Sequence, residues 1–209
     1  MRKRTEQEAF WAGEFGMNYI NRNNSNRLLA SNLSFFSQAL RSATNISSLI
    51  EFGANVGMNL RALMTLFPNI DSHAIEINAQ AAKELEGLIG SDRVQCGSIL
   101  DAKMDESYDV ALIKGVLIHI NPKDLSAVYE KLYQASRRYI LIAEYYNPQP
   151  VSISYRGHEN KLFKRDFAGE MLDAFDDLNL IDYGFVYHRD PLFPQDDVTW
   201  FLLEKRGKN

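Results

Sequence analysis

The sequence is short of cysteine and of excess charge, and each shortage excludes a class of protein. Cys96 is the only cysteine among 209 residues, so no intrachain disulfide can form. Its apolar, strand-like surroundings predict a buried and unreactive thiol. The net charge of −4 provides no basic field for nucleic acid, which is therefore not an expected partner.

Long apolar runs and metal-binding spacings are also missing. No stretch reaches the roughly 18 apolar residues that a membrane span needs, and no signal-peptide core is present. Together with the single cysteine, these absences favour a cytoplasmic protein and argue against a membrane partner. The four histidines lack zinc spacing and no carboxylate cluster suggests magnesium, so no metal site is expected.

Short apolar strands alternate with helices from residue 46 to residue 175, and hydrophobic residues make up 45% of the chain, enough for one compact domain. This alternation is typical of a parallel sheet that is covered by helices on both faces. The predicted strands are 46–52, 71–77, 92–97, 108–114 and 138–144, and the predicted helices are 56–67, 78–90, 122–136 and 164–175.

The end of the chain follows another pattern, because two predicted strands, 178–188 and 197–204, have no helix between them. Consecutive strands without a crossover helix pair antiparallel, so we expect an antiparallel edge on the parallel sheet. Segment 145–163 is predicted to be a long irregular connection, and connections of that length often carry function.

The start of the chain is predicted to be helical over residues 5–42. Thr5 and Glu8 have the spacing of a capping box, while Gly13 and Gly16 weaken the first helix and predict a break. A polar stretch, 21–26, precedes a second helix over 27–42. An aromatic stripe on the first helix suits a cap or lid over a site, with plain core packing as the alternative: Phe10, Trp11, Phe15 and Tyr19. We therefore expect a helical cap at 1–44 on a domain at 45–209.

The first strand runs into a glycine-bearing turn with the sequence Glu51-Phe-Gly-Ala-Asn-Val-Gly57. Gly53 allows a sharp turn at the strand end, and Gly57 allows the next helix to approach closely. A strand, a tight turn and a helix in this order form a site for a nucleoside cofactor at the carboxyl end of a parallel sheet. Asn55 stands where a dinucleotide fingerprint has glycine and tolerates a left-handed backbone. Because of Asn55 and the preceding acidic Glu51, a pyrophosphate ligand such as NAD is disfavoured.

Polar residues at the following strand ends extend this predicted cofactor site. Glu76 can accept hydrogen bonds from both ribose hydroxyls, with Ile77 beside it. Ser98 and Ile99 follow the third strand, where a polar side chain and backbone amides could read an adenine edge. Lys114 follows at the rim where the reactive end of the cofactor is expected.

Candidate acceptor residues lie in the later loops. A hydroxyl acceptor needs a general base, for which His119 and His188 are the candidates, beside Lys114 as a third catalytic candidate. Packing is the alternative interpretation of His119. Aromatic stacking and recognition of an anionic group suit the remaining candidates, for which loop packing or surface ion pairs are the alternatives: Tyr145, Tyr146, Asn147, Tyr155, Arg156, His158 and Arg189.

The turn at 51–57, Glu76, the pair Tyr108-Asp109 and the antiparallel finish resemble the class I S-adenosylmethionine-dependent methyltransferases over about residues 45–205. The resemblance implies S-adenosylmethionine as the cofactor. It also implies an α/β fold of three layers, Rossmann-like, whose seven-stranded and mostly parallel sheet has an antiparallel last strand. Asn55 departs from the glycine of that family's turn. Ser98 departs from the acidic residue that often contacts adenine there.

A closer resemblance, running nearly from end to end, is to the methylases associated with pseudaminic acid biosynthesis. The segments that carry it are Phe10-Trp-Ala-Gly-Glu-Phe-Gly16, Lys114-Gly-Val-Leu-Ile-His-Ile-Asn-Pro122, Ala143-Glu-Tyr-Tyr-Asn-Pro148, Tyr155-Arg-Gly-His158, Phe163-Lys-Arg-Asp-Phe167 and Tyr187-His-Arg-Asp-Pro191.

This resemblance implies a methyltransferase acting on a hydroxyl or amine of a nonulosonic sugar, its precursor or its nucleotide-linked form. Two alternatives stay open at the level of sequence. One is a methyltransferase for another small molecule or for a protein. The other is a non-catalytic nucleoside-binding module of a glycan-assembly complex.

Overall fold

A computed structural model describes residues 2–20 and 25–206 of the protein. The helices are α1 (Glu6–Ala12), α2 (Glu14–Ile20), α3 (Asn26–Ala39), α4 (Met58–Leu66), α5 (Ala79–Ile89), α6 (Leu125–Ala135) and α7 (Phe167–Ala174). The strands are β1 (Ser48–Phe52), β2 (Asp71–Glu76), β3 (Val94–Cys96), β4 (Tyr108–Lys114), β5 (Ser136–Glu144), β6 (Val151–Tyr155), β7 (His158–Lys164), β8 (Leu178–Val186) and β9 (Val198–Lys205). In the described ranges no helix is long and apolar enough to cross a membrane.

Seven strands form one sheet in the order β3-β2-β1-β4-β5-β9-β8. The first five strands along the chain pair in parallel, and β9 lies antiparallel between β5 and β8. The expected mostly parallel sheet with an antiparallel last strand is therefore confirmed. Strand order reverses between β1 and β4, and ligands of open α/β sheets bind beside the carboxyl ends of the strands at such a point.

Apolar side chains cover both faces of this sheet. On one face, Val128 and Leu132 of α6 and Met171 of α7 pack on the central strands. On the other, Phe35 of α3 and Leu60 of α4 pack beside residues of α5. Both clusters are fully buried at their centres, so the sheet is the middle of three layers and holds the strand ends rigidly.

Side-chain caps mark the beginnings of several of the described helices. The capping box of Thr5 and Glu8 is present, and the break between α1 and α2 falls at Gly13. Asn78 caps α5 by accepting from the amides of Gln80 and Ala81. The residues 21–24 of the predicted polar linker lie outside the described ranges.

The expectation of an irregular segment at 145–163 is wrong, because β6 and β7 form an antiparallel hairpin there. Arg156 and Gly157 make its turn with φ values of 50° and 82°, a left-handed pair that suits two-residue hairpins. Val151, Ile153 and Tyr155 alternate with two serines, but this strand pattern covers only five residues, which stay largely exposed, unlike the buried apolar runs of the central strands.

The expectation of a buried Cys96 is also wrong, since the side chain is exposed. Cys96 ends β3, a strand of three residues at the edge of the sheet. An edge strand this short has neighbours on one side only, so apolar residues in it are less covered than in a central strand.

Asp109 of β4 links the beginnings of β1 and β4. Its Oδ2 accepts hydrogen bonds from the amide and hydroxyl of Ser47, at 2.8 and 2.6 Å, and from the amide of Ser48, at 3.0 Å. Partial burial alone would raise the pKa of Asp109, but these hydrogen bonds outweigh it and lower the pKa.

We predict that Asp109→Asn lowers the free energy of unfolding at neutral pH by about 1–3 kcal/mol, because charge-assisted hydrogen bonds are lost. The folded-state pKa lies below the unfolded one, so this stabilisation is present above about pH 4 and disappears as the pH falls through the folded-state pKa. Urea unfolding at two pH values measures it. The exposed Asp105→Asn serves as control, and equal stability of both variants at neutral pH would contradict the prediction.

Candidate functional site

The turn after β1 has the left-handed backbone that the sequence indicates. Gly53, Asn55 and Gly57 have φ values of 78°, 49° and 78°. A Cβ on Gly53 would lie 2.6 Å from Cγ2 of Val116, and one on Gly57 would lie 2.8 Å from Cδ2 of Leu88. Gly53 therefore lets the loop after β4 approach the turn, and Gly57 lets α5 approach it.

Glu76 ties the end of β2 to this turn. Its Oε2 accepts a hydrogen bond from the amide of Asn55 at 2.7 Å, and its Oε1 accepts one from the amide of Asn78 at 2.8 Å. Burial raises the pKa of Glu76, while these bonds oppose the rise. Each carboxylate oxygen can accept a second hydrogen bond, so the side chain keeps capacity for a ligand's hydroxyl groups.

A cavity of about 610 Å³ lies beside the carboxyl ends of the parallel strands, where the chain reverses strand order. Several sequence-predicted site residues line it: Gly53, Asn55, Glu76, Ile77, Ser98, Ile99, Lys114, His119, Tyr145, Tyr155, Arg156 and His188. The volume is in the range of small-molecule sites. Within the described residues no group of three or more potential metal ligands is found.

Helix α1 forms part of the wall at the Ser98 side of the cavity. The Ser98 hydroxyl donates a hydrogen bond to Glu8, which is also paired with Arg2 and accepts from the Thr5 amide at 2.6 Å. Burial pushes the pKa of Glu8 upward, but the hydrogen bonds from Arg2, Ser98 and Thr5 prevail and lower it to about 2. The sequence pattern predicted only a capping role for Glu8, because its contact with Ser98, 90 positions away, has no local signal.

Two buried glutamates lie beneath the cavity floor near Lys114. Oε1 of Glu51 accepts from the Asn59 amide group at 2.6 Å, and Oε1 of Glu144 accepts from the amides of Val116 and Leu117, both at 2.9 Å. Oε2 of each glutamate is buried without a hydrogen-bond partner in the described structure. Burial raises the pKa of Glu51 to about 8 and that of Glu144 to about 7.

Lys114 is the cation nearest to these carboxylates. Burial lowers the pKa of Lys114, and the negative charges of Glu51, Asp196 and Glu144 oppose that effect. Its ammonium group also lies 5.4 Å from the centre of the Phe35 ring. Lys114 lines the cavity wall. Glu51 and Glu144 do not line it, and they affect the cavity through their electrostatic interaction with Lys114. Glu144, which ends β5, was not among the sequence-predicted site residues.

His119 lies in the cavity wall and is only 7% exposed. Its Nδ1 is 2.6 Å from the carbonyl oxygen of Lys161, so Nδ1 carries the proton and Nε2 is an acceptor. The ring lies 4.6 Å from the Trp11 ring and 4.9 Å from the Tyr155 ring, measured between centroids. Burial lowers the pKa of His119 to about 4, so the imidazole is neutral at physiological pH.

His188 lies at another part of the wall, next to loop residues that sequence reasoning missed. Its Nδ1 is 2.8 and 2.9 Å from the two carboxylate oxygens of Asp197. In the same loop, Gln195 donates a hydrogen bond of 3.0 Å to the buried Asn32 of α3. Asn32, Gln195 and Asp196 all line the cavity. Sequence reasoning could not identify these three residues as site residues, because Asn32 and Gln195 are 163 positions apart in the chain and only the fold brings them together.

The remaining predicted residues do not line the cavity. Glu51 lies beneath its floor and Gly57 behind the turn. Four acceptor candidates face elsewhere. Tyr146 packs against Phe201 at 5.9 Å between centroids, Asn147 donates to the Gln149 carbonyl, His158 contacts Phe10 at 5.0 Å, and Arg189 is exposed beyond β8.

A protein-family model and several solved structures match this chain. Residues 50–138 match a protein-family model described as a methyltransferase domain. No curated protein sequence matches the chain.

Several solved structures share the fold. A Burkholderia thailandensis 1,6-didemethyltoxoflavin-N1-methyltransferase, solved with 1,6-didemethyltoxoflavin and S-adenosylhomocysteine, is 14% identical over 98% of this chain and 92% of that one, with a TM-score of 0.72. A magnesium protoporphyrin IX methyltransferase from Synechocystis PCC 6803, solved with S-adenosylhomocysteine, is 12% identical over 95% and 98%, with a TM-score of 0.68. The chain spans 61% of the mitomycin 7-O-methyltransferase, at 15% identity, with a TM-score of 0.65 and 97% of this chain covered.

The sheet topology confirms the expected Rossmann-like fold of class I methyltransferases. The methyltransferase domain matched over residues 50–138 bears out the expected enzyme class, an S-adenosylmethionine-dependent methyltransferase, and the expected cofactor.

We predict that Glu51→Gln flattens the dependence of stability on pH. The folded-state pKa of Glu51 is about 8, above the unfolded value, so its favourable contribution is full at low pH and is lost as the pH rises through about 8. Free energies of unfolding measured between about pH 5 and 8 should fall less in the variant than in the wild type. Glu84→Gln, on the exposed face of α5, is the control. A variant slope as steep as that of the wild type would contradict the prediction.

Proposed function

We propose that this methyltransferase methylates a hydroxyl or amine of a polyhydroxylated small molecule, of the class of nonulosonic sugars, their precursors or their nucleotide-linked forms. The observation that carries the proposal is one cavity with two unlike ends. One end has a carboxylate and a left-handed turn that suit a nucleoside, and the other combines aromatic rings with side-chain amides.

The donor end fits S-adenosylmethionine in shape and charge. Glu76 has spare lone pairs for ribose hydroxyls, and the turn at Gly53 and Asn55 leaves room for a ligand beside the backbone. Burial raises the pKa of Glu51 to about 8 and that of Glu144 to about 7, so a ligand with positive groups would be stabilised by their ionised forms and would favour those forms. When bound, S-adenosylmethionine supplies a methyl group activated by its positively charged sulfur.

The acceptor end has the side chains that sugars need. Aromatic faces suit the apolar face of a sugar ring, while amides can both donate and accept hydrogen bonds with its hydroxyl groups. Arg156 adds a cation in the same wall, and a guanidinium pairs with a carboxylate in two parallel bonds. The wall residues of these two kinds are Trp11, Tyr19, Tyr145, Tyr155, Gln7, Asn32, Asn121 and Gln195. The sequence resemblance to pseudaminic acid-associated methylases supports the same acceptor class.

Helices α1 and α2 serve in this proposal as a lid on the 45–209 domain. Thr5, Gln7, Glu8, Trp11 and Tyr19 contribute to the cavity wall. The lid is tied to both ends, through Glu8 to Ser98 and through the Gln7 amide to the Asn160 carbonyl at 3.0 Å. Such a cover excludes water and aligns donor and acceptor, the two requirements of an in-line displacement.

We predict that Glu76→Ala weakens binding of S-adenosylhomocysteine by about 10- to 100-fold, as expected for the loss of hydrogen bonds to a charged acceptor. Isothermal titration calorimetry measures the affinity, and thermal unfolding verifies that the variant is folded. The matched control is the exposed Glu84→Ala on α5, which should bind like the wild type. No binding by the wild type, or equal binding by Glu76→Ala, would contradict the proposed cofactor site.

The acceptor class can be tested with labelled S-adenosylmethionine and an extract of the source cells from which the gene has been deleted. We predict label in the small-molecule fraction, in an acidic, sugar-containing product that mass spectrometry finds one methyl group heavier. Heat-inactivated protein is the control. Label confined to protein would overturn the sugar assignment, and binding without any transfer would favour a non-catalytic module.

A further inference from the structure

The two histidines of the cavity wall differ in what surrounds them, and the difference bears on the proton that leaves the acceptor. The contacts of the His119 ring are the Lys161 carbonyl and the rings of Trp11 and Tyr155. A proton taken up by this buried ring would create a cation for which the described residues provide no adjacent carboxylate, and such a cation is costly in a site of low polarity. His119 is therefore a neutral hydrogen-bond acceptor and a wall residue.

His188 has the opposite environment. Its Nδ1 faces both carboxylate oxygens of Asp197, at 2.8 and 2.9 Å, and its own backbone amide donates to Oδ1 of Asp197 at 3.1 Å. A carboxylate only accepts, so Nδ1 carries the proton and Nε2 keeps its lone pair. The hydrogen bond from His188 is also the first cause of the lowered pKa of Asp197.

The fold fixes this pair. His188 comes two residues after β8 and Asp197 comes directly before β9, and the last paired residues of these strands are Val186 and Val198. The ladder therefore brings both side chains to the same end of the sheet. Lys164 acts electrostatically on Asp197, Arg189 follows His188 directly in the chain, and the Tyr187 ring lies 4.7 Å from the imidazole.

We propose that His188 is the general base of the methyl transfer and that Asp197 is its positioning residue. This inference rests on the proposed function. The acceptor oxygen or nitrogen forms its bond to the methyl carbon as the carbon–sulfur bond of the donor breaks and its electron pair stays on sulfur. The acceptor proton passes to Nε2 of His188.

Asp197 supports this step in two ways. Its carboxylate holds the imidazole in the tautomer with a free Nε2, and it pairs with the imidazolium that forms, as the carboxylate of a histidine–aspartate pair does in acyl transfer. His188 and Asp197 have side chains that are 52% and 50% exposed, so the proton can leave to water after each turnover. The buried His119 has no such exit.

The experiment measures initial rates of transfer from labelled S-adenosylmethionine to the small-molecule extract of gene-deleted cells. His188→Gln should lower the rate by about 10²- to 10⁴-fold, the usual contribution of a general base. Asp197→Asn should lower it by about tenfold or more, with partial recovery in Asp197→Glu. The affinity for S-adenosylhomocysteine should stay within about threefold of the wild type in all three. His119→Gln should lose less activity than His188→Gln.

Two further measurements separate positioning from general damage. Long-range ¹H–¹⁵N spectra should give the Nδ1–H tautomer for His188 in the wild type and a shift toward Nε2–H in Asp197→Asn. His73→Gln, in β2 beside Asp71 and away from the cavity, is the control for the substitution itself.

The outcomes distinguish this inference from the proposed function. Transfer by His188→Gln within about threefold of the wild type, or a larger loss in His119→Gln, overturns the assignment of the base and leaves the methyltransferase intact. A wild type that binds S-adenosylhomocysteine and transfers no label contradicts the proposed function, and the base assignment falls with it.

Discussion

The cavity depends on the hydrogen bonds that join Glu76 to the amides of Asn55 and Asn78. These bonds hold the end of β2 against the turn after β1 and also against the start of α5. An Asn55 in the left-handed region presents its amide to the carboxylate, so the backbone conformation and the hydrogen bond support each other. The same carboxylate also lines the cavity, so the side chain that links the two strand ends is the one proposed to contact the cofactor.

The ends of the central strands also place three ionisable side chains close to the cavity. Glu51, Lys114 and Glu144 lie near the ends of β1, β4 and β5, the three central strands of the sheet. Full burial of these strand ends desolvates the carboxylates, and the resulting rise in pKa keeps their protonation responsive near neutral pH. A positively charged ligand above them would favour the ionised forms, so ligand binding and proton release are physically linked in this site.

Local signals predicted the fold and the donor end of the cavity well. Gly53, Asn55 and Glu76 could be interpreted from the sequence because a strand, a turn and the next strand end are close along the chain. The hairpin at β6 and β7 was missed because the apolar–polar alternation of its first strand covers only five residues and lies on the surface. Glu8 against Ser98 and Gln195 against Asn32 were missed for another reason, since each pair joins distant segments and no local motif indicates the contact. Cys96 was misjudged because an apolar neighbourhood in sequence does not tell a central strand from an edge.

Helix α1 gives the two ends of the cavity a common cover. Its residues contact the Ser98 loop on the donor side, and Glu6 pairs with Lys161 of β7 on the acceptor side. Lys161 is the residue whose carbonyl orients His119, and Trp11 of the same helix packs on that imidazole. Displacement of α1 would therefore expose the donor end and loosen the acceptor wall together. Because α1 contacts both ends of the cavity, neither end can open fully while the helix keeps its contacts with the other. The structural order of the donor end and that of the acceptor end are therefore coupled.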